Sequence, residues 1–501
     1  MRFEDDIDDA ELLALMDAPT VPRSAGDGSR GTNATPAAEA PAVATAAPEV
    51  DPALASSLTA TLKKFFGHDA FRAGQLDVVA AAVSGRDAAV YWSTGSGKSM
   101  CYQVPALHTG RTTLVVSPLV SLMQDQVTHL NNTAGEGRAE LAAFLGSAQS
   151  DPSVQERALR GDFAVLYVTP EKLVGFVDDD EAQKPKSTEP TYFVRRLQEM
   201  VEAKTLGLVA VDEAHCVSQW GHDFRAAYRA LDALRTYLAP NGEVPLMALT
   251  ATAVSAVRDD IDKVLGLRTP FVAVNSCDRP NLRVRVAKKR GAETDFKLLA
   301  DAARDANGSV IVYCPSVRET EAVCEALRAK FGSNASVGVY HARLSPSQRK
   351  KTHMDFLVGA VKVVAATVAF GMGIDKPDIR LVVHYGAPKT MEEYYQQVGR
   401  AGRDGLPSEC LMLYGDNDFV KYASDFYVGK LSREARETQK KSTDALERFA
   451  RDARGCRRAG ILRHFGETTP NTWRPAPPAL GDATSGDATS RDKDKPLVPN
   501  L

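Results

Sequence analysis

Two stretches of this chain carry residue types whose spacing suits chemistry on a phosphate ester. The apolar run Leu206 to Val211 ends in two adjacent carboxylates, Asp212 and Glu213. Read as a short buried strand, it delivers one acid to hold Mg²⁺, usually through water. Its neighbour can then orient and deprotonate an attacking water. The second stretch is Thr94-Gly95-Ser96-Gly97-Lys98-Ser99, which follows the apolar run Ala88 to Tyr91 and precedes a helical segment. A strand, a glycine-rich turn and a helix start surround phosphates with backbone N–H groups. Lys98 would reach the outer phosphates and the Ser99 hydroxyl would bind Mg²⁺. The strict GxxxxGK[ST] pattern fails at its first glycine, where Trp92 stands. A lone Asp-Glu pair is mostly a solvated strand end, so the reading rests on the two stretches together.

The elements that position these residues recur at regular intervals. Short apolar runs at Thr113 to Ser117, Ala164 to Val168 and Leu246 to Leu249 each end in small polar residues, the last in Thr250-Ala251-Thr252. That is the pattern of a doubly wound α/β sheet, whose ligand contacts lie beyond the strand ends. Ahead of the phosphate loop, Leu58, Leu62, Phe65 and Phe66 form a helical stripe. Arg72 and Gln75 then flank a turn, from which a side-chain amide can read an adenine edge. The pattern breaks at Asn275 to Asn281, and a second α/β unit follows with runs at Val310 to Tyr313, Val337 to Tyr340, Val361 to Ala365 and Leu381 to His384. It has no phosphate loop. It does carry Gln396, Arg400 and Arg403, the two arginines read as sitting at a helix start and able to supply an arginine finger to a neighbouring nucleotide.

Composition narrows the class. The chain has 501 residues, 44% of them apolar, enough for two or three domains with substantial cores. No run approaches the ~18 apolar residues of a membrane span. The N-terminus, Met1 to Asp6, is too acidic for a signal or transit peptide. Seven cysteines without a CxxC pair read as reduced intracellular thiols, Cys216 among them as a packed thiol. The net charge of −3 hides an asymmetry: residues 1–53 carry −8, whereas Lys421 to Arg463 carry +6. The basic segment suits a polyanion, although such runs are as a rule solvated helix faces. The acidic, Ala/Pro-rich start and the end from Pro470, with its tandem GDATS, read as disordered tails. The first tail could dock on a partner protein.

In order, these motifs resemble the RecQ family of superfamily 2 DNA helicases. The marks are FGHDAFRAGQ at 66–75, TGSGKS at 94–99, SPLVSLMQDQV at 117–127, DEAHCVSQWGHDFR at 212–225, LTATA at 249–253, AFGMGIDKPDIR at 369–380 and QQVGRAGRDG at 396–405. His384 to Lys389 looks most like eukaryotic, Werner-type members. The resemblance implies two tandem RecA-like domains, at 54–274 and 275–415, a helical remnant of a zinc-binding subdomain at 416–469, and tails at 1–53 and 470–501. It implies an enzyme that uses ATP and Mg²⁺ and moves 3′→5′ on single-stranded and branched DNA, in the nucleus of a eukaryotic cell.

By the same likeness Arg72 and Gln75 recognise adenine and His68 stacks on it, with less area than a tyrosine. Thr94 to Ser99 hold the phosphates, Ser99 and Asp212 the Mg²⁺, and Glu213 the water. Gln396, Arg400 and Arg403 complete the site, Arg403 as the finger. Ser218, Gln219, Trp220, His222, Phe224 and Arg225 form a loop that senses single-stranded DNA, where Trp220 and Phe224 can stack on bases. An ATP-gated annealing factor is the rival reading, and an RNA helicase is disfavoured by the QWGHDFR loop.

One departure from the family has a chemical consequence. Cys456-Arg457-Arg458 matches the family's first zinc ligand, but its cysteine cluster is replaced by Thr468 to Trp473. The 31 residues after Pro470 leave no room for winged-helix and HRDC domains, so a core helicase is expected. A closed structural zinc site needs four Cys or His ligands, and near Cys456 the sole other candidate is His464. The purified protein is therefore expected to hold no stoichiometric zinc. A chelator should leave its melting temperature unchanged when nucleotide and Mg²⁺ are absent. Elemental analysis returning one zinc per chain would overturn this.

Overall fold

The computed structural model describes residues 50–134, 139–146, 149, 151–174, 191–218, 226–238, 243–251, 253–331, 337–371, 374, 376–424 and 433–467. The two tails, but for Val50 to Ala53, and the Gln219 to Arg225 part of the expected DNA-sensing loop lie outside them. Two compact units divide between Cys277 and Asp278.

The first unit holds seven parallel strands: β1 (Ala88–Tyr91), β2 (Thr112–Val116), β3 (Ala142–Leu145), β4 (Val165–Val168), β5 (Leu206–Val211), β6 (Leu246–Thr250) and β7 (Phe271–Val274). Their order is β3-β4-β2-β5-β6-β1-β7. Successive strand residues alternate between two apolar layers, so both faces must be covered by helices. On β5, Val209 and Val211 join Leu197 and Ile261 on one face, while Leu208 and Ala210 join Val78, Trp92 and Tyr102 on the other. Order begins before Leu54, where the sequence placed it. Asp51 caps the helix Pro52–Phe66, its carboxylate accepting from the Ala53 N–H at 3.0 Å, and Pro52 takes the first helical position. The tail reading at Val50 to Ala53 is thereby corrected.

The second unit holds six parallel strands: β8 (Leu282–Lys288), β9 (Ser309–Tyr313), β10 (Val337–Tyr340), β11 (Val363–Ala366), β12 (Ile379–Tyr385) and β13 (Ser408–Tyr414), in the order β10-β11-β9-β12-β13-β8. The helix Met391–Val398 packs over β12 and carries the segment that follows the second domain's sheet. Phe449 lies 5.5 Å from the Tyr394 ring and Phe465 4.9 Å from Tyr395. Thr443 donates to the Lys389 carbonyl at 2.8 Å, and Leu446 and Ile461 are buried. Arg458 pairs with Asp278, tying the last helix (Arg457–His464) to the entry of the same unit.

A buried imidazole sits where β12 meets that helix. His384 Nε2 lies 2.6 Å from Gln397 Oε1, with Tyr313 and Tyr394 rings at 5.6 and 5.1 Å. Burial pushes its pKa down to about 4. The unfolded chain thus binds the proton first, and this stabilisation is complete above the ordinary histidine range. It is lost as the pH falls from about 6.5 toward 4. Thermal melts of the wild type should drop between pH 7.5 and 5, by an amount equivalent to roughly 2 kcal/mol from this group. His384→Gln should show a shallower drop. Equal slopes in the two proteins would contradict the assignment.

Candidate active site

Strands β1, β6 and β5 are neighbours, so the segments that leave their C-terminal ends are brought together by the sheet. After β1 comes the glycine-rich turn, which leads into the helix Met100–Thr109. Gly95 and Gly97 have φ of 81° and 82°. At Gly97 the reason for glycine is also steric. A Cβ there would stand 2.5 Å from Gln75 Nε2, and that amide donates to the Gly97 carbonyl at 3.0 Å. Gln75 Oε1 accepts from the Arg72 N–H at 2.8 Å, and Arg72 Nη1 donates to the Gly95 carbonyl at 2.6 Å. The two residues read as adenine contacts therefore also brace the phosphate loop. The Gln75 amide keeps a second N–H and a second lone pair beyond these two bonds. His68 is exposed near them in sequence.

Lys98 turns back over the loop, its Nζ donating to the Trp92 carbonyl at 3.0 Å and the Ser93 carbonyl at 3.4 Å. Ser93 and Ser96 hydroxyls meet at 3.0 Å. Thr94 and Ser99 are half-buried. Trp92, the residue that breaks the strict motif, is fully buried and continues β1 by donating its N–H to Thr250. Its ring closes against Gly74, where a Cβ would lie 3.3 Å from Cζ2.

After β5 the Asp212 N–H still bonds to Val116 at 2.9 Å, and the chain then bends sharply. Glu213 has φ 48° and ψ 44°, a left-handed conformation that a glutamate adopts under constraint. Its N–H donates to Asp212 Oδ1 at 3.0 Å, and its Oε2 lies 3.3 Å from His215 Nδ1. That same nitrogen is 2.8 Å from the Thr250 hydroxyl at the end of β6. Burial, then the adjacent Glu213 charge, pushes the Asp212 carboxyl well above the usual carboxylate range, and Lys98 opposes the shift. Two half-buried acids beside one lysine form a donor set short of positive charge, and a divalent cation fits it. Ser218, the first residue of the expected DNA-sensing loop, is buried.

In the second unit Gln396 is half-buried on the helix Met391–Val398, Arg400 is buried and Arg403 is half-buried. The arginines do not begin a helix, as the spacing suggested. They follow one, in successive turns in which Gly402 takes φ 57° and donates its N–H to the Ile379 carbonyl at 2.9 Å. Gly402 lets the chain double back onto β12. Arg400 reaches the glycine of the 369–374 segment, since a Cβ on Gly371 would meet its Nη2 at 3.2 Å.

Residues 72–260 match the family model of the DEAD/DEAH box helicase and residues 294–405 that of the helicase conserved C-terminal domain. The mouse bifunctional 3′-5′ exonuclease/ATP-dependent helicase WRN is 41% identical over 411 residues, covering 81% of this chain and 27% of that protein. The ATP-dependent DNA helicase RecQ of Haemophilus influenzae is 38% identical over 409 residues, 81% of this chain and 61% of that protein. The chain belongs to the RecQ family of superfamily 2 helicases.

A solved structure, the Mycobacterium smegmatis helicase Lhr bound to ssDNA and AMP-PNP, matches with a TM-score of 0.55 at 21% identity, over 76% of this chain and 50% of that one. That likeness is one of fold, two parallel sheets flanked by helices. This RecQ-family chain spans about a quarter of the mouse relative's length and three-fifths of the bacterial one's.

The structure adds a residue to the site that motif reading passed over. The Tyr228 hydroxyl donates to the Asp212 carbonyl at 3.0 Å. Nearby, Arg229 clamps the Val217 carbonyl and Asp260. These bonds hold both ends of the segment between Glu213 and the helix Ala226–Arg229. No sequence signal marks Tyr228, since its partner is a main-chain atom far back in the chain.

The loop geometry of this RecQ-family site generates a test. Gly97→Ala must displace the Gln75 amide as well as strain the backbone, and is expected to weaken nucleotide binding at least about tenfold. Gly67→Ala is the control: it has φ 71° but nothing within 4 Å of the added carbon. It should cost about 1 kcal/mol of stability and leave nucleotide affinity alone. Fluorescent-nucleotide titration of both variants decides, and wild-type affinity in Gly97→Ala would sink the bracing role.

Proposed function

We propose that this chain is an ATP-driven DNA helicase that moves 3′→5′ along single-stranded DNA and opens duplex and branched DNA in repair, recombination and replication. The observation that carries the reading is the convergence of Lys98, Asp212, Glu213 and Thr250 at the adjoining ends of β1, β5 and β6. In this reading Lys98 leaves its carbonyl partners for the outer phosphates, and the Thr94–Ser99 turn lines them with N–H groups. Ser99 and Asp212 hold Mg²⁺, which when bound neutralises phosphate charge. Glu213 orients the attacking water and takes its proton. His215, between Glu213 and Thr250, relays the state of the carboxylate to the end of β6. Gln396, Arg400 and Arg403 act on the nucleotide from the second unit, Arg403 stabilising the charge that develops in the transition state.

Ser218, Gln219, Trp220, His222, Phe224 and Arg225 couple hydrolysis to the DNA strand through stacking and phosphate contact. His68 stacks on adenine. The acidic N-terminal tail recruits a protein partner, and in a eukaryotic cell the site of action is the nucleus. In the C-terminal helices Cys456 is exposed, and the His464 ring bonds Glu392 at 2.7 Å. This supports a packed, zinc-free module.

Lys98→Ala and Glu213→Gln are each expected to lower DNA-stimulated ATP hydrolysis by on the order of 100-fold or more. Glu213→Gln should still bind ATP. Near-normal turnover in either would refute the site. Strand displacement should be ATP-dependent and directional in an assay run beside one for annealing. Annealing without displacement would favour the rival, an ATP-gated annealing factor, and stimulation by RNA equal to that by DNA would favour an RNA helicase.

A further inference from the structure

The second unit opens on Asp278-Arg279-Pro280-Asn281, directly ahead of β8. This stretch lies where the apolar pattern breaks, between the LTATA and AFGMGIDKPDIR motifs. Two of its side chains converge on one place. Arg279 Nη1 donates to the Gly399 carbonyl at 3.2 Å, and its Nη2 donates to the carbonyls of Ala401 at 2.8 Å and Gly402 at 2.9 Å. The Asn281 amide donates to the same Gly402 carbonyl at 2.9 Å and to the Leu406 carbonyl at 3.0 Å.

These carbonyls belong to the turn that carries Arg400 and Arg403. A chain leaving a helix has carbonyls without helical partners, and here the helix ends at Val398. The Gly399 oxygen lies on the peptide plane that leads into Arg400, and the Gly402 oxygen on the plane that leads into Arg403. Holding those two planes limits the direction in which each arginine side chain leaves the backbone. The fit is close: a Cβ on Gly402 would stand 2.5 Å from Asn281 Nδ2 and 2.8 Å from the Leu406 carbonyl. Arg279 and Arg403 are also near enough to repel. Burial pushes the Arg279 pKa down; Tyr395 and Cys410 oppose the shift, and the Arg403 charge adds to it. Proximity of two like charges is unfavourable, so the carbonyl bonds must hold Arg279 in place against it.

We propose that Arg279 is a positioning residue for nucleotide hydrolysis, setting the turn from which Arg400 and Arg403 act. This rests on the reading that those two arginines complete the ATP site. A planar fork can serve the Gly399 carbonyl with one nitrogen and those of Ala401 and Gly402 with another. A lysine keeps the charge and much of the stem but brings one nitrogen to one point. Arg279→Lys therefore removes the geometry and leaves the charge.

The test measures DNA-stimulated ATP hydrolysis and amide hydrogen exchange on the full chain carrying Arg279→Lys, with a melt to confirm folding. kcat and kcat/KM for ATP are expected to fall together by about tenfold or more, because a displaced finger is missed in the transition state. Fluorescent-nucleotide affinity should stay within about twofold, since the phosphate loop is untouched. Amides of residues 400–405 should exchange faster. Asn281→Ser, which alters no charge, should act in the same direction and serves if Arg279→Lys does not fold. In an Arg403→Ala background, Arg279→Lys should cost less than about threefold more, because the residue it positions is gone. Arg283→Gln, which removes an exposed β8 guanidinium paired with Glu409, should change none of these readouts. Wild-type turnover in Arg279→Lys, a loss confined to KM, or a full tenfold loss on top of Arg403→Ala overturns the proposal. Normal hydrolysis by Arg403→Ala itself would mean that the finger reading has failed, whereas unchanged exchange in Arg279→Lys would mean that the clamp has. Either result overturns the proposal, and only the second concerns Arg279.

Discussion

Two adjacent, half-buried carboxylates are the constraint around which the first unit is arranged. Asp212 and Glu213 leave the end of β5 as neighbours, and desolvation together with the Glu213 charge disfavours the charged form of Asp212. The sheet offsets this with partners drawn from its neighbours. Lys98 arrives from the turn after β1, and His215 is held by the Thr250 hydroxyl at the end of β6. None of these contacts lies within one strand. Each depends on β5, β6 and β1 being adjacent in a parallel sheet, the order that brings three strand ends to one point.

Backbone geometry enforces the same arrangement. The phosphate loop folds tightly because Gly95 and Gly97 take left-handed conformations, and the Gln75 amide occupies the space a side chain on Gly97 would need. Glu213 enters that region without being glycine. Such a conformation persists where surrounding bonds over-determine it. Here the Asp212 carboxylate, the His215 ring and the Tyr228 hydroxyl on the preceding carbonyl do so. The backbone held this way fixes where the Glu213 side chain leaves the chain.

The second unit uses a related sheet for a different purpose. It shows no phosphate loop among the described residues, and its buried Arg400 follows a helix whose Tyr394 and Tyr395 meet aromatic side chains of the C-terminal helices. Tyr394 and Tyr395 meet Phe449 and Phe465, so the position of the arginine turn is mechanically joined to the docking of those helices. Apolar contacts and the Arg458–Asp278 pair hold that helical segment on the unit.

The motifs that carry chemistry were legible because each is local: a few residues whose types and order already imply a turn, a strand end or a helix start. Thr94 to Ser99, Asp212-Glu213 and the nine strands read from apolar runs in the two halves belong to this class. Strands β3, β7, β8 and β13 were not legible. Ala142 to Leu145 has weak strand formers, Phe271 to Val274 and Leu282 to Lys288 flank the break read as a boundary, and β8 lies on an edge with charged residues exposed. The arginines were read at a helix start, whereas they follow a helix that ends at Val398, and the bond from Gly402 to Ile379, remote in the chain, sets the turn. What sequence determined here is the inventory of reacting groups. The tertiary structure alone decided which of them meet, because strand order, the tyrosine on the Asp212 carbonyl and the Arg235–Asp87 pair are relations between residues apart in the chain.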